Sequence, residues 1–234
     1  MALHVKRGFK EILFSLKTIY STMETPNAEY FAGLIDAQLT VGLAKNASTR
    51  VTLTCNDPRV AEELAAEFRP TRVTIIKRPD KKDLCTALFT GDHAKTLLEF
   101  ASQHCVIKKD LASKALEYMA ENATAEDVKN VAPVETLDDV SLDWASGFFD
   151  VRGIVVPSVA ATDDTKKRRA SVKLVLPKAE KFILPALQKV LNGKVKKSSP
   201  CRLVYESKDA IKTFVDTVGD HVRAKKDDLD SVLV

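Results

Sequence analysis

Two short segments of this 234-residue chain repeat one pattern. Tyr30-Phe31-Ala32-Gly33-Leu34-Ile35-Asp36-Ala37-Gln38 and Trp144-Ala145-Ser146-Gly147-Phe148-Phe149-Asp150-Val151-Arg152-Gly153 each place a glycine, two bulky apolar residues and an aspartate in the same order. Both read as helices, and a glycine inside a helix costs about 1 kcal/mol relative to alanine. The same cost at the same repeat position predicts one cause: two helix axes approaching closer than the usual ~8–10 Å. Ala37 keeps the Gly33 face small, and Val151 is its bulkier counterpart beside Gly147. Leu34, Ile35, Phe148 and Phe149 are then expected to enter the cores of the two halves.

A second matched pair makes the chain an internal duplication. Cys105-Val106-Ile107-Lys108-Lys109-Asp110-Leu111 and His221-Val222-Arg223-Ala224-Lys225-Lys226-Asp227-Asp228-Leu229 share a Lys-Lys-Asp core, in the same order and at near-equal spacing each from the motif of its own half. The first half reads as a motif helix over 28–38 capped by Asn27, strands at 39–44 and 49–55, and a helix capped by Asp57 with Pro58 in its first turn. Strands at 73–77 and 84–89 and helices at 92–102 and 109–122 complete it. The second half follows suit: helix 142–152, strands 154–160 and 170–176, helix 178–191 stopped by Asn192-Gly193, strands 195–197 and 202–206, helices 208–222 and 226–233. The predicted class is α+β, two pseudo-symmetric αββαββα repeats joined through their motif helices. The division is an N-terminal amphipathic helix (1–26), a first repeat (27–120), an acidic linker containing Pro133 (121–140) and a second repeat (141–234).

Composition narrows the function classes. No apolar run is long enough to cross a bilayer. Cys55, Cys85, Cys105 and Cys201 form no CxxC, and no histidine lies at zinc-finger spacing, so free, mostly buried thiols in a reducing, intracellular compartment are expected. Mitochondrion and cytoplasm are not distinguished. His4, His93, His104 and His221 are scattered, and glycine-rich phosphate loops and nucleophile motifs are absent. The net charge of +4 is mild, but positive charge gathers at Lys77-Arg78, Lys81-Lys82, Lys166-Lys167-Arg168-Arg169 and Lys194 to Lys197. Such runs mark either a polyanion-binding surface or a solvated loop. At the N-terminus, Val5, Phe9, Ile12, Leu13, Leu16, Ile19 and Tyr20 recur at helical spacing among basic residues. That pattern suits a mitochondrial presequence; Glu11 interrupts it and favours a helix packed on its own domain.

The two motifs resemble the signature of the LAGLIDADG homing endonucleases, in the single-chain, two-repeat form, over nearly the whole chain from about Asn27. The resemblance implies that the motif helices form a pseudo-twofold interface within a monomeric pseudo-dimer. It also implies that each half contributes a four-stranded antiparallel sheet, the two sheets forming a saddle along a nucleic-acid groove. In that family the second acid of each motif holds the catalytic metal. Here those positions are Gln38 and Arg152. Gln38 offers Mg²⁺ only a neutral carbonyl. Arg152 offers a cation, and at ~4 Å and an effective dielectric of ~20 it repels a dication by about 8 kcal/mol. The resemblance therefore implies no catalytic residue, no metal and no cofactor. The family's active-site lysines correspond to Lys108 and Lys225, which with Arg152 are expected to form a cationic cluster that contacts phosphate. Arg152 pairing with an acid of the neighbouring repeat is the plainer alternative.

Strand alternation assigns a binding face. Arg50, Thr52, Thr54, Arg72, Thr74 and Arg78 line it in the first half, and Ser171, Lys173, Lys194, Lys196 and Arg202 in the second. Val51, Leu53, Val73, Ile75, Val172 and Leu174 are expected to face the helices. Aromatic side chains for stacking bases are lacking there unless the register slips to expose Phe89 or Tyr205. Three functional classes emerge. The favoured one is a non-catalytic nucleic-acid-binding protein, RNA before DNA, within a ribonucleoprotein such as a ribosome or as a maturase-like splicing factor, with the N-terminal helix free to meet other proteins. The second is a metal-dependent DNA endonuclease with ligands relocated to Asp36, Asp150, Asp110 or Asp227. The third is a protein-interaction scaffold.

Overall fold

The computed structural model describes residues 25–43, 49–78, 83–158, 169–196 and 200–233, and within them the duplication is visible element by element. The first half runs α1 (Thr25–Asp36), β1 (Leu39–Leu43), β2 (Thr49–Cys55), α2 (Pro58–Phe68), β3 (Arg72–Ile76), β4 (Leu84–Thr90), α3 (Gly91–His104) and α4 (Lys109–Met119). A short helix α5 (Ala125–Lys129) leads into α6 (Leu142–Arg152), β5 (Gly153–Val156) and β6 (Ser171–Leu176). A 3₁₀ turn (Lys178–Ile183), α7 (Leu184–Leu191), β7 (Lys194–Lys196), β8 (Cys201–Tyr205), α8 (Lys208–Val218) and α9 (Lys226–Asp230) complete the second half. The N-terminal amphipathic segment, Lys81-Lys82, Lys166, Lys167, Arg168 and Lys197 lie outside the described residues. Among those described, no helix is long and apolar enough to cross a membrane.

Each half carries one four-stranded antiparallel sheet, in the equivalent orders β1-β2-β4-β3 and β5-β6-β8-β7. One face of each sheet is apolar and covered by helices. In the first half Val51, Leu53, Ala87 and Phe89 are fully buried, and in the second Val172, Leu174, Leu203 and Tyr205. Alternation along each strand leaves the other face open.

The halves meet at α1 and α6, and the glycines decide how closely. A Cβ on Gly33 would lie 2.0 Å from the Trp144 carbonyl oxygen, and one on Gly147 would lie 2.0 Å from the Tyr30 carbonyl oxygen. Each helix thus presses its glycine onto the backbone of the other, with two-fold correspondence. Leu34, Ile35, Phe148 and Phe149 are buried beside the crossing, as expected of residues that turn into the two cores. Asp150 and Ser146 are also fully buried, so polar groups share this seam.

Caps explain several helix boundaries. Asp57 accepts a hydrogen bond from the Arg59 N–H at the start of α2, with Pro58 in the first turn. Ser141 and Ser207 cap α6 and α8 through their hydroxyls. Asn192, at φ 51°, ends α7 in the left-handed region.

Four local expectations are corrected. Helix α1 begins at Thr25, so Asn27 lies inside it and is not its cap. The expected single helix over 178–191 divides, because Pro185 in the first turn of α7 lacks the N–H that a continuous α-helix needs. The segment expected to be a plain tether contains α5, stabilised by a reciprocal capping box between Thr124 and Asp127 and by burial of Val128. The fourth correction concerns β3: Val73 and Ile75 are 41% and 48% exposed. They do point to the helix side, opposite Ala87 and Cys85, but β3 is the edge strand and overhangs the helices that cover β2 and β4.

Replacing Gly33 or Gly147 by alanine is expected to cost about 3 kcal/mol or more in urea unfolding, since backbone atoms of the opposing helix must retreat. Gly42→Ala, whose Cβ would find its nearest atom at 3.6 Å, is the control and should cost under about 1 kcal/mol. A second measurement concerns the thiols. Cys55, Cys85 and Cys105 are buried, and burial pushes the Cys55 thiol up to about 11, whereas Cys201 is only half-buried. Alkylation of the native protein at pH 8 should therefore label Cys201 first and leave Cys55 unmodified, as read by mass spectrometry.

Candidate nucleic-acid interface

The ends of the motif helices are built around two aspartates. Asp36 closes α1, and its carboxylate accepts the backbone N–H groups of Val106 (2.8 Å), Ile107 (3.0 Å) and Lys108 (2.7 Å). Asp150, one turn from the end of α6, accepts those of Arg223 (2.8 Å), Ala224 (3.0 Å) and Lys225 (2.9 Å). Both carboxylates thereby fasten the turn that opens the last helix pair of their half, at the Lys-Lys-Asp segments. Each also takes a donor from the opposite half: Trp144 Nε1 donates to Asp36 at 2.8 Å, and the Tyr30 hydroxyl donates to Asp150 at 2.6 Å. Tyr30 and Trp144 stand at the same position, three residues before the motif glycine. Burial raises the Asp36 carboxyl above its ordinary range, and the N–H and indole donors oppose that rise. Burial, then the neighbouring Asp150 charge, keeps the Tyr30 hydroxyl protonated and donating.

Asp36 and Asp150 are two of the four acids to which a relocated metal site would fall. Their oxygens are committed to these donors. Asp110 and Asp227 are exposed at the starts of α4 and α9. Among the described residues, no three His, Cys, Asp or Glu side chains gather as metal ligands.

At Gln38 and Arg152 the side chains behave differently. Gln38 is half-buried, and its Oε1 is enclosed without a hydrogen-bond partner. Arg152 donates from Nη2 to Glu180 Oε1 at 3.1 Å. Glu180 belongs to the same repeat, on the 3₁₀ turn, whereas the plainer alternative put the partner acid in the neighbouring one. Arg152 Nε and Glu180 Oε2 are both enclosed and unpartnered. Beside Arg152 opens a cleft of about 340 Å³ whose wall includes Asn56 and Asp57 from the first half and Pro177 and Lys225 from the second. Lys225 is only 3% exposed. Burial lifts the Asp57 carboxyl, but the Arg59 hydrogen bond and the nearby Lys225 ammonium outweigh it and hold Asp57 below the usual range. Arg152 is thus paired with Glu180, and Asp57 lies near Lys225 while its own side-chain hydrogen bonds come from Arg59. Lys108, the third member of the expected cationic cluster, is half-buried on the first-half side.

The predicted open faces are distributed unequally. On the first sheet Arg50 lies opposite Gly42 and Thr90, and Arg72 opposite Leu88, both exposed among Thr52, Thr54 and Thr74. Arg78 falls beyond β3, where its Nη2 donates to Asn56 Oδ1. On the second sheet Lys173 and Lys194 both lie opposite Val204, and Lys196 and Arg202 lie opposite each other, so all four share one face. Lys196 also donates to both oxygens of Glu206, at 2.6 and 2.8 Å. That bond first, then the charges of Lys196, Lys173 and Lys194, keeps the Glu206 carboxyl below its ordinary range. Ser171 ends this face and is buried, whereas Arg169 is exposed just before β6. Phe89 and Tyr205 are buried, so the register did not slip.

Several participants were not singled out from sequence. Glu180 and Asp57 had no local signal as charge partners. Arg223 lies 4.3 Å over the Tyr30 ring, donates to Asn27 Oδ1 and approaches Glu63 at 3.6 Å, tying α1 and α2 to the second half. Tyr30 and Trp144 did carry a signal, because both are aromatics with a polar tip at the same repeat position.

No protein-family model matches the chain, and no curated protein matches it in sequence. Solved structures do. They include a lysine double mutant of I-SmaMI (TM-score 0.63, 14% identity, 87% of this chain and 88% of that one). They also include the I-LtrWI LAGLIDADG homing endonuclease bound to target DNA (0.61, 17% identity, 87% of each chain) and the LAGLIDADG meganuclease I-AabMI bound to uncleaved DNA (0.59, 13% identity, 87% and 88%). The fold is thus that of the single-chain LAGLIDADG homing endonucleases.

Because their carboxylates are structural, Asp36→Ala and Asp150→Ala should each destabilise the protein by about 3 kcal/mol or more in urea unfolding, stranding buried N–H donors. Asp110→Ala, at an exposed position, should stay within about 0.5 kcal/mol. Equal effects at all three positions would contradict the clamp assigned here.

Proposed function

We propose that the chain uses its LAGLIDADG fold to bind nucleic acid, structured RNA before DNA, without cleaving it. The observation that carries the reading is the second sheet's open face, where Lys173, Lys194, Lys196 and Arg202 stand together against the single acid Glu206. A row of flexible cations on a polar sheet surface suits contact with a phosphate backbone. Arg50 and Arg72 add sparser positive charge on the open face of the first sheet, and Arg169, exposed just before β6, adds to the dense half.

The absence of cleavage rests on donor chemistry. A divalent ion at the motif-helix ends wants hard carboxylate oxygens. The side chains there are an amide, Gln38, and a guanidinium already paired with Glu180, Arg152. This set does not fit the metal that the fold's nucleases use. Relocation to Asp36 or Asp150 has their four donors against it. The preference for RNA fits a ribonucleoprotein role, as a ribosomal component or a maturase-like splicing factor, in which further proteins share the load of binding.

Binding is to be measured by fluorescence anisotropy on a structured RNA across 50–200 mM salt. The native chain should lose affinity steeply as salt rises, and Lys173→Glu with Lys194→Glu should weaken binding by about tenfold or more and flatten the log–log slope by about two. Salt-insensitive or undetectable binding would favour the scaffold reading. In parallel, supercoiled plasmid incubated with Mg²⁺ or Mn²⁺ should stay intact; cleavage lost on Asp36→Asn or Asp150→Asn would establish the nuclease reading instead.

A further inference from the structure

The edge of the first sheet carries more apolar surface than its place in the fold requires. Val73 and Ile75 are close to half exposed on the helix side of β3. The duplication supplies the comparison. Val195, opposite Leu203 on β7, is the counterpart of Val73, opposite Ala87 on β3. Val195 packs against the core, and the positions matching Ile75 and Ile76 are Lys197 and Ser198. A bare apolar edge is a template for unwanted pairing, and proteins cover it with a helix or loop. Acidic groups rim this one. Burial, then the Asp83 charge, raises the Cys85 thiol opposite Ile75, and exposed Glu62 of α2 adds to it, so both carboxylates lie beside the edge.

The N-terminal segment, residues 1–24, fits this surface in pattern, charge and reach. Phe9, Ile12, Leu13, Leu16 and Tyr20 recur at the spacing of one helix face, and Lys6, Lys10 and Lys17 fall together along one flank of that stripe. The chain also arrives beside α2. Asn27, in the first turn of α1, accepts a hydrogen bond from Arg223, which lies 3.6 Å from Glu63 on α2. A shallow cleft of about 420 Å³ opens there, walled by Glu62, Glu63 and Ala66 of α2 and by Arg223. Helix α2 packs on β3 as well, and a helix is about 10–12 Å across. Residues 21–24 extended reach about 13 Å, and a helix over 5–20 is about 24 Å long, so the segment can cross α2 to the edge. We propose that the N-terminal segment docks along the outer face of α2, with its apolar stripe on Val73 and Ile75 and its lysines toward Glu62 and Asp83. It is then the intramolecular cover of the first sheet's edge, and its apolar face is closed to other proteins.

Hydrogen–deuterium exchange of the full chain, read by mass spectrometry, tests this without any nucleic acid. Residues 5–20 should exchange about tenfold or more below the unfolded-chain rate, independently of protein concentration. Ile75→Asp, at an exposed position, should return 5–20 to the unfolded-chain rate while the α1–α6 crossing stays protected. Leu233→Asp, at an apolar residue exposed elsewhere, should leave 5–20 slow. Reciprocally, Leu13→Asp combined with Leu16→Asp should speed exchange of residues 72–76 about threefold or more. Unfolded-chain exchange of 5–20 in the native protein would overturn the proposal. Protection that Ile75→Asp leaves intact would also overturn it, because the segment would then be docked elsewhere. Protection that grows with concentration would make a second copy the cover instead. An N-terminus near residue 21 on the protein isolated from cells would identify a cleaved presequence and end the proposal. If Ile75→Asp fails to fold, the native-chain rates and the Leu13, Leu16 variant still decide the matter.

Discussion

Everything in this molecule is referred to one contact, the crossing of two helix backbones at Gly33 and Gly147. A side chain at either glycine would collide with the opposing carbonyl, so the seam exists only because both positions are bare. Close approach then brings Tyr30 within reach of Asp150 and Trp144 within reach of Asp36. Those carboxylates in turn hold the Lys-Lys-Asp turns, which orient α4 and α9. The relative placement of the two sheets, and hence of any surface that spans them, follows from this chain of contacts. Dispersion and apolar burial around the crossing add their share, but they are not specific to one geometry, whereas a carbonyl pressed on a glycine is.

The fold was largely legible in the sequence because duplication doubles every local signal. A mid-helix glycine is ambiguous once; at the same place twice it predicts a contact. The element order followed, with Asp57-Pro58 and Asn192-Gly193 marking helix ends by backbone chemistry that acts locally. What failed was partly non-local. Val73 and Ile75 alternate like residues covered by helices, yet the strand order places β3 at an edge where cover runs out. Pro185 divided a helix that periodicity alone would have run through. The capping box of α5 was present in the linker as Thr124 and Asp127, but Asp substitutes there for the Glu or Gln of the usual pattern.

The candidate site was legible in identity and not in electrostatics. Gln38 and Arg152 stand out at once by position in their motifs. Their surroundings do not, because Glu180 lies 28 residues from Arg152 and meets it only through the turn after β6. Spacing along a chain cannot reveal which charges neutralise one another once it has folded. The open sheet faces were easier, since strand period alone separates Lys173 from Val172 and Arg202 from Leu203. The two halves, alike in backbone, have thus diverged in surface chemistry: threonines and sparse arginines on one, a crowded basic row on the other.

The crossed donation between Tyr30 and Asp150, and between Trp144 and Asp36, makes each half the other's complement. A repeat severed from its sibling would retain a buried carboxylate stripped of its aromatic donor and a bare helix face exposed to water. Neither piece is a self-sufficient module. The duplication, whatever its origin, now ties the buried carboxylate of each half to a donor on the other.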